Sequence, residues 1–207
     1  QSLQTFYLAE WAGVNSADGS PMWYDAEGNM TKDYNKARKV IAGNADPKFT
    51  VGWNNTFTYG NWALSFMLYC NYGNLVFNQL NNELIADGAK TELNQSSAAL
   101  DYWKNPGDDA ENPKVVQNNG SNSNRFSTRY LEDGSYVRLK NIQLNYTIPA
   151  VTCQKAKINR CVVYFQVQNP FVWTKFSGLD PETRTNGIYY YDYPKQRLVT
   201  VGVNLVF

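Results

Sequence analysis

From Phe49 to Tyr72 the sequence alternates apolar and polar residues twice, with a two-residue break between the runs. In the first run Val51, Trp53, Phe57 and Tyr59 alternate with Thr50, Gly52, Asn54, Thr56 and Thr58, and Asn55 interrupts the apolar series. After Gly60-Asn61, the residues Trp62, Leu64, Phe66, Leu68, Cys70 and Tyr72 alternate with Ala63, Ser65, Met67, Tyr69 and Asn71. A side-chain period of two is that of a strand, and two such runs around Gly-Asn predict a β-hairpin. Each run is about eleven residues long. Globular strands usually have ~5–6 residues, whereas a tilted strand crossing a bilayer needs ~9–11.

The end of the chain repeats the pattern. Val199, Val201, Val203, Leu205 and Phe207 fall on one face and Thr200, Gly202 and Asn204 on the other, with Leu198 and Val206 as exceptions. Alone, this segment fits the amphipathic strand of a soluble sandwich as well as the closing strand of an outer-membrane barrel. A further strand is predicted from Tyr136 to Ile148, with Ile142, Leu144, Tyr146 and Ile148 opposite Asn141, Gln143, Asn145 and Thr147; Pro149 ends it. Another carries Cys161, Val163, Phe165 and Val167 on one face, and Asn169-Pro170 is expected to end it. The N-terminal part contributes one strand, Leu3 to Trp11, so the reading gives about six strands in all. A short helix is expected within Gln95 to Trp103.

The connections decide between the two settings. Val14–Lys48, Gly73–Arg125 and Pro170–Gln196 are long and rich in Asn, Gly and Asp, whereas Gly60-Asn61 and Ala150–Lys157 are short. In an up-and-down antiparallel sheet this order puts every long loop at one end and every short turn at the other, as in outer-membrane barrels. Aromatic residues mark both ends: Tyr59, Trp62, Tyr146 and Phe207 near the short turns, and Phe49, Tyr72, Phe171 and Trp173 near the long loops. Such belts are the interfacial girdles of membrane proteins. Val51, Phe66, Leu144, Phe165 and Val203 are therefore expected to face lipid, and Thr56, Asn145, Gln166 and Asn204 the lumen.

Composition narrows the chemistry. Aromatics make up 15% and charged residues 18%, against roughly a quarter charged in soluble proteins. A formal net charge of +1 gives no basic footprint for nucleic acid. There is no histidine, so neither a Ser-His-Asp arrangement nor a His-containing zinc site can be built. No apolar run reaches the ~18 residues of a membrane helix, and a barrel would leave none. Cys70, Cys153 and Cys161 form no metal-binding spacing and read as small apolar residues or free thiols; a Cys153–Cys161 bridge has no support from spacing. The chain starts at Gln1 without Met, so it is expected to be a processed or excised piece whose targeting information is missing rather than absent.

These residues resemble the C-terminal part of SusC/RagA-type TonB-linked outer-membrane proteins. The resemblance rests on Gly43-Asn44-Ala45-Asp46-Pro47-Lys48-Phe49, Asn55-Thr56-Phe57-Thr58-Tyr59, and Gly134-Ser135-Tyr136-Val137-Arg138-Leu139-Lys140-Asn141-Ile142. It continues in Leu144-Asn145-Tyr146-Thr147-Ile148-Pro149, Gln168-Asn169-Pro170-Phe171-Val172-Trp173-Thr174 and Gly178-Leu179-Asp180-Pro181-Glu182. The ending Thr200-x-Gly202-x-x-Leu205-x-Phe207 resembles the terminal signal for barrel assembly. Pro170 departs from the pattern, which more often has a bulky apolar residue after Asn. The resemblance implies an all-β, antiparallel transmembrane barrel segment, residues 1–207 being about the last six strands of a barrel of about 22. It implies long extracellular loops, short periplasmic turns, and a plug and TonB-contacting part outside this chain. It further implies import of oligosaccharide or peptide cargo across the outer membrane of a Gram-negative bacterium, with a SusD-like lipoprotein and TonB as partners, outer-membrane lipid around the barrel and no cofactor. The alternative reading is a soluble, secreted, aromatic-rich β-domain binding carbohydrate like a lectin.

Few groups qualify as chemical sites. Asp25-Ala26-Glu27-Gly28-Asn29 lacks the spacing of a calcium loop and reads as a solvated turn. Asp108, Asp109 and Glu111 form an acidic cluster that reads as solvated loop, with affinity for divalent cations as the alternative, and Asp180 and Glu182 lie two apart without a scaffold to raise one pKa, so no catalysis is expected and no metal site is assigned. Trp103, Phe171, Trp173, Tyr189, Tyr190 and Tyr191 fall in the segments outside the membrane. Their rings suit sugars or partner side chains, and equally suit packing loops against one another.

Overall fold

The computed structural model describes residues 3–90, 92–183 and 186–207. Thr91 of the second long connection and Arg184 and Thr185 of the third lie outside the described residues. The strands in chain order are β1 (Thr5–Ala9), β2 (Trp11–Val14), β3 (Pro21–Tyr24), β4 (Met30–Thr31), β5 (Lys39–Asn44), β6 (Phe49–Tyr59) and β7 (Trp62–Tyr72). They continue with β8 (Leu75–Asn78), β9 (Leu131–Asp133), β10 (Tyr136–Thr147), β11 (Arg160–Thr174), β12 (Ile188–Tyr189) and β13 (Leu198–Val206). Two short helices are α1 (Gln79–Ile85) and α2 (Ala150–Lys155). The chain divides into two compact units: a sheet unit of Pro47–Gly73, Gly134–Lys175 and Tyr193–Phe207, and a loop unit of Gln1–Asp46, Asn74–Asp133 and Phe176–Asp192.

The sheet unit is an antiparallel meander of five strands in the order β13-β11-β10-β7-β6. β6 and β7 pair without a slip from Phe49↔Tyr72 to Tyr59↔Trp62. Gly60, at φ +56°, opens the two-residue turn between them in the conformation that type II′ hairpins reserve for glycine. β13 runs antiparallel to β11 from Leu198↔Gln168 to Val206↔Arg160 and forms one edge of the sheet. The register gathers both short connections, Gly60-Asn61 and the α2 segment, at one end of the sheet.

Several expectations are corrected. The sheet has five strands rather than six, because the N-terminal stretch splits: β1 pairs with β5, and β2 joins β3 and β4. Asn169-Pro170 does not end β11. The ladder resumes at Phe171↔Leu139 after Gln168↔Asn141, so that Asn169 and Pro170 together stand opposite the single residue Lys140. Asn169 sits at φ +49° in this bulge, and proline, which has no N–H to give a ladder, is tolerated at such a point. The Gln95–Trp103 helix reduces to one 3₁₀ turn, Ser97–Leu100, capped by the Ser96 side chain. The three cysteines are free, in agreement with their reading as small apolar residues or free thiols.

The loop unit is folded, although its segments lack strong periodicity. β12 pairs in parallel with β8 and β9 pairs antiparallel on β8's other side. Val76, Phe176 and Tyr189 form a core cluster, with Leu80 of α1 packed on it. α1 starts at Asn78, whose Oδ1 accepts from the Asn81 N–H at 2.9 Å, satisfying a helix-start donor. Trp23 is fully buried and meets the rings of Trp11 and Tyr34 edge-on, both at 5.5 Å.

Candidate functional site

The pairing registers sort the side chains of the sheet unit into two faces. One carries Phe49, Val51, Trp53, Phe57 and Tyr59 of β6 and Trp62, Leu64, Phe66, Leu68 and Cys70 of β7. Val137, Leu139, Ile142, Leu144 and Tyr146 of β10 continue it, followed by Val163, Phe165 and Val167 of β11 and Val199, Val201 and Val203 of β13. Asn55 is the one polar residue interrupting β6 on this face. Among the described residues nothing forms a second layer over this face: Trp53 is 53% exposed, Phe165 46% and Val201 69%. Soluble monomers rarely leave a contiguous apolar surface of this kind open.

Aromatic rings cluster at both ends of this face. Trp62 and Tyr146 lie 4.5 Å apart at the short-turn end. Phe49 and Tyr72 stack at 5.1 Å, and Phe171 and Trp173 at 6.1 Å, at the other end. Eleven residues at ~3.4 Å per step span ~34 Å, and a tilt of ~45° projects this to ~24 Å, close to the ~25 Å apolar band of outer-membrane barrels.

The opposite face is polar and internally hydrogen-bonded. Gln166 Nε2 donates to Asn141 Oδ1 at 2.8 Å, Gln143 Nε2 to Asn145 Oδ1 at 2.7 Å, and the Thr56 and Ser65 hydroxyls are 3.0 Å apart. The five strands contain no Asp or Glu, and their only charged residues are Arg138, Lys140 and Arg160. Arg138 and Lys140 lie over the rings of Tyr136 and Tyr69, on the polar side. The four predicted lumen residues all fall on this face, and the five predicted lipid residues on the other.

The terminal motif lies along the β13 edge. Gly202 pairs with Tyr164, and a Cβ on Gly202 would lie 2.3 Å from that tyrosine's ring, so the glycine is required by the ring lying across it. Thr200 pairs with Gln166 and Leu205 with Cys161. Phe207 follows β13 and is 80% exposed.

The aromatic candidates are not brought together. Phe171 and Trp173 belong to β11 of the sheet unit. Trp103 is half-buried; its ring packs over Gly19 and its Nε1 donates to the Ser16 carbonyl at 2.9 Å. Tyr189 is buried at 1% exposure. Tyr190 and Tyr191 are exposed, and the Tyr191 hydroxyl donates to Glu83. That bond, with one from Gln79, holds the Glu83 carboxyl below its usual range and pushes the Tyr191 phenol up.

The acidic candidates serve turns. Asp108 accepts from the Asn105 and Lys104 backbone N–H groups, which lower its pKa, and Asp25 accepts from those of Glu27 and Asn29. Asp180 Oδ1 accepts the Glu182 N–H at 2.9 Å. Lys32 on Asp18 lowers that carboxyl to about 2. Among the described residues no group of His, Cys, Asp and Glu side chains could hold a metal.

A buried polar centre in the loop unit has no periodic signal to reveal it. Asp87 and Arg129 form an ion pair whose side chains are 2% and 7% exposed. Arg129 Nη2 donates to Asp87 Oδ1 at 3.1 Å and to Asn112 Oδ1 at 2.8 Å, and its Nη1 donates to the Ser123 carbonyl at 3.2 Å. The Ser123 hydroxyl donates to Asp87, and the guanidinium also lies 5.0 Å from the Trp11 ring.

Comparison with known proteins agrees with this architecture. No protein-family profile matches the chain. It is 28% identical over its whole length to TonB-dependent receptor P3 of Formosa agariphila, covering 22% of that protein. It is also 28% identical over its whole length to the TonB-dependent receptor SusC of Bacteroides thetaiotaomicron, covering 20% of it. The RagAB peptide transporter matches 97% of the chain with a TM-score of 0.83 and 25% identity, the chain covering 22% of the matched structure. RagAB in its open-open state gives 0.85. The chain is thus similar, in sequence and fold, to TonB-dependent receptors of the SusC and RagA kind, as its motifs imply. It spans about a fifth of the length of the curated relatives it matches.

Proposed function

We propose that this chain is one part of the β-barrel of an outer-membrane importer in a Gram-negative bacterium, with the apolar face of the five-stranded sheet in lipid and the polar face toward the lumen. The observation that carries this reading is the open apolar face, bounded by aromatic clusters at both ends and free of the strands' three charges. A soluble lectin-like domain would need a second layer over those side chains, and they stay exposed. In this reading the loop unit faces the cell exterior, and the edges at β6 and β13 pair with strands of the parent protein, because unpaired backbone groups in hydrocarbon cost several kcal/mol each. The kinship with SusC and RagA supports cargo of glycan or peptide type, a SusD-like lipoprotein over the outer face, and energy from TonB through segments outside this chain. Tyr190 and Tyr191 are the exposed aromatics we assign to cargo or lipoprotein contact.

Thr200, Gly202, Leu205 and Phe207 act here as the assembly signal. Deleting Phe207, or Phe207→Asp, in the full-length parent is expected to deplete the folded, heat-modifiable receptor from outer-membrane fractions. Folded receptor at wild-type level would contradict the reading.

A further inference from the structure

The loop unit holds a cavity of about 560 Å³ that no motif in the sequence announces. Its size lies within the ~300–1,000 Å³ of small-ligand sites. One wall is the strand β2, from Trp11 to Val14. The others come from α1, from the loop at Asp109–Asn112, and from Arg129-Tyr130.

Three observations describe what fits there. First, β2 is an edge strand of the β2-β3-β4 sheet; the 127–128 segment covers its start, where the Trp11 N–H donates to Thr128 Oγ1 at 3.0 Å, and the stretch beyond, Ala12–Val14, lines the cavity. A strand edge is a ready template for an added strand. Second, the edge is clear of bulk. Ala12 lies at a bulge in the β2–β3 pairing, and no atom lies within 4 Å of where a Cβ on Gly13 would be, so another backbone can approach closely. Third, the loop wall is acidic: Asp109 and Glu111 flank Ala110, both are exposed, and among the described residues neither has an ion-pair partner. Arg129 does not offset them, since Asp87 and Asn112 hold its guanidinium. Asn112 fixes the loop as well, donating to the Ala98 and Asp101 carbonyls at 2.8 and 3.0 Å.

We propose that this cavity receives an extended peptide segment carrying a basic side chain, its backbone laid along β2 at Ala12-Gly13 and its ammonium or guanidinium at Asp109 and Glu111. The proposal rests on the importer reading above, which gives cargo access to the loop unit from outside. It deepens that reading by choosing peptide over glycan and cationic over acidic peptide. Backbone pairing supplies affinity, and the rim carboxylates supply charge preference and a salt-dependent encounter rate.

The test uses the full-length parent receptor, purified from outer membranes and first shown to be folded by heat-modifiable migration. Calorimetry then measures binding of Ala-Lys-Ala-Lys-Ala, of Ala-Glu-Ala-Glu-Ala, of the lysine peptide with methylated backbone nitrogens, and of maltohexaose. The lysine peptide is expected to bind about tenfold or more tightly than the glutamate peptide, and more weakly as salt rises. The double variant Asp109→Asn/Glu111→Gln is expected to remove that preference while the receptor stays folded. Ala110→Trp, which fills the slot from the loop side, is expected to abolish binding, as is backbone methylation of the peptide. Equal affinity for the two peptides, a preference for maltohexaose, or an unchanged Asp109→Asn/Glu111→Gln variant would each overturn the proposal. A folded receptor that fails these binding tests leaves the barrel reading standing, whereas a parent protein absent from the outer membrane removes both.

Discussion

Asp87→Asn is expected to cost the loop unit about 3–5 kcal/mol, the usual penalty for removing one partner of a buried ion pair. Asp87 sits at φ +46°, a left-handed conformation that asparagine also tolerates, so the backbone keeps its path. The charge is lost, and one of the two carboxylate oxygens that accept from Arg129 and Ser123 becomes an amide donor. What remains is the Arg129 guanidinium, 7% exposed, with Asn112 and the Ser123 carbonyl as its hydrogen-bond partners but no counter-charge. Amide hydrogen exchange across residues 115–130 of the full-length parent reads the loss as a drop in local opening free energy. Asp87→Asn/Arg129→Met should cost less than Asp87→Asn alone, because it keeps the same left-handed residue and leaves no buried charge. An Asp87→Asn protein exchanging within about 0.5 kcal/mol of wild type would show that the pair does not hold this unit together.

Phe165→Arg and Gln166→Arg should separate by their face. They are neighbours on β11, Phe165 paired with Leu144 and Val201 on the apolar face and Gln166 with Gln143 and Thr200 on the polar face. Near the bilayer midplane an arginine on the lipid side costs roughly 2–4 kcal/mol. On the lumen side the cost is about 1 kcal/mol, that of the hydrogen bond from Gln166 to Asn141, which the substitution removes. Denaturant unfolding of the full-length receptor in phospholipid vesicles measures both. Equal costs would mean that the two faces meet the same medium.

The sheet unit was largely legible because each strand carries its own signal. Alternation and Gly60-Asn61 locate β6 and β7 to the residue, and the terminal alternation locates β13. The missed extension of β11 has a specific cause: Asn169-Pro170 carries the residues of a strand end, and a bulge that sets both opposite Lys140 lets the ladder continue. The loop unit was not legible, since its order comes from pairings distant in sequence. β12 joins β8 over a hundred residues away, through two register pairs, Ile188↔Phe77 and Tyr189↔Asn78. Asp87 and Arg129 are 42 positions apart, and no spacing rule links them. α1 did leave a trace, in Asn78 as a cap ahead of Leu80, Leu84 and Ile85. Tyr189 shows the limit of reading aromatics from a loop sequence: among three consecutive tyrosines it is the one turned into the core, and its neighbours are left exposed.

The claim that this sheet divides lipid from lumen is tested most directly by nitroxide scanning of β7, β10 and β11 in the full-length receptor reconstituted in bilayers. Labels at Leu64, Phe66, Leu144 and Phe165 are predicted to be highly accessible to oxygen and shielded from a water-soluble nickel chelate. Labels at Ser65, Gln143, Asn145 and Gln166 are predicted to show low oxygen accessibility, so that the signal alternates with a period of two along every strand. Low oxygen accessibility on both sets, the mark of an apolar face packed against protein, would contradict the account.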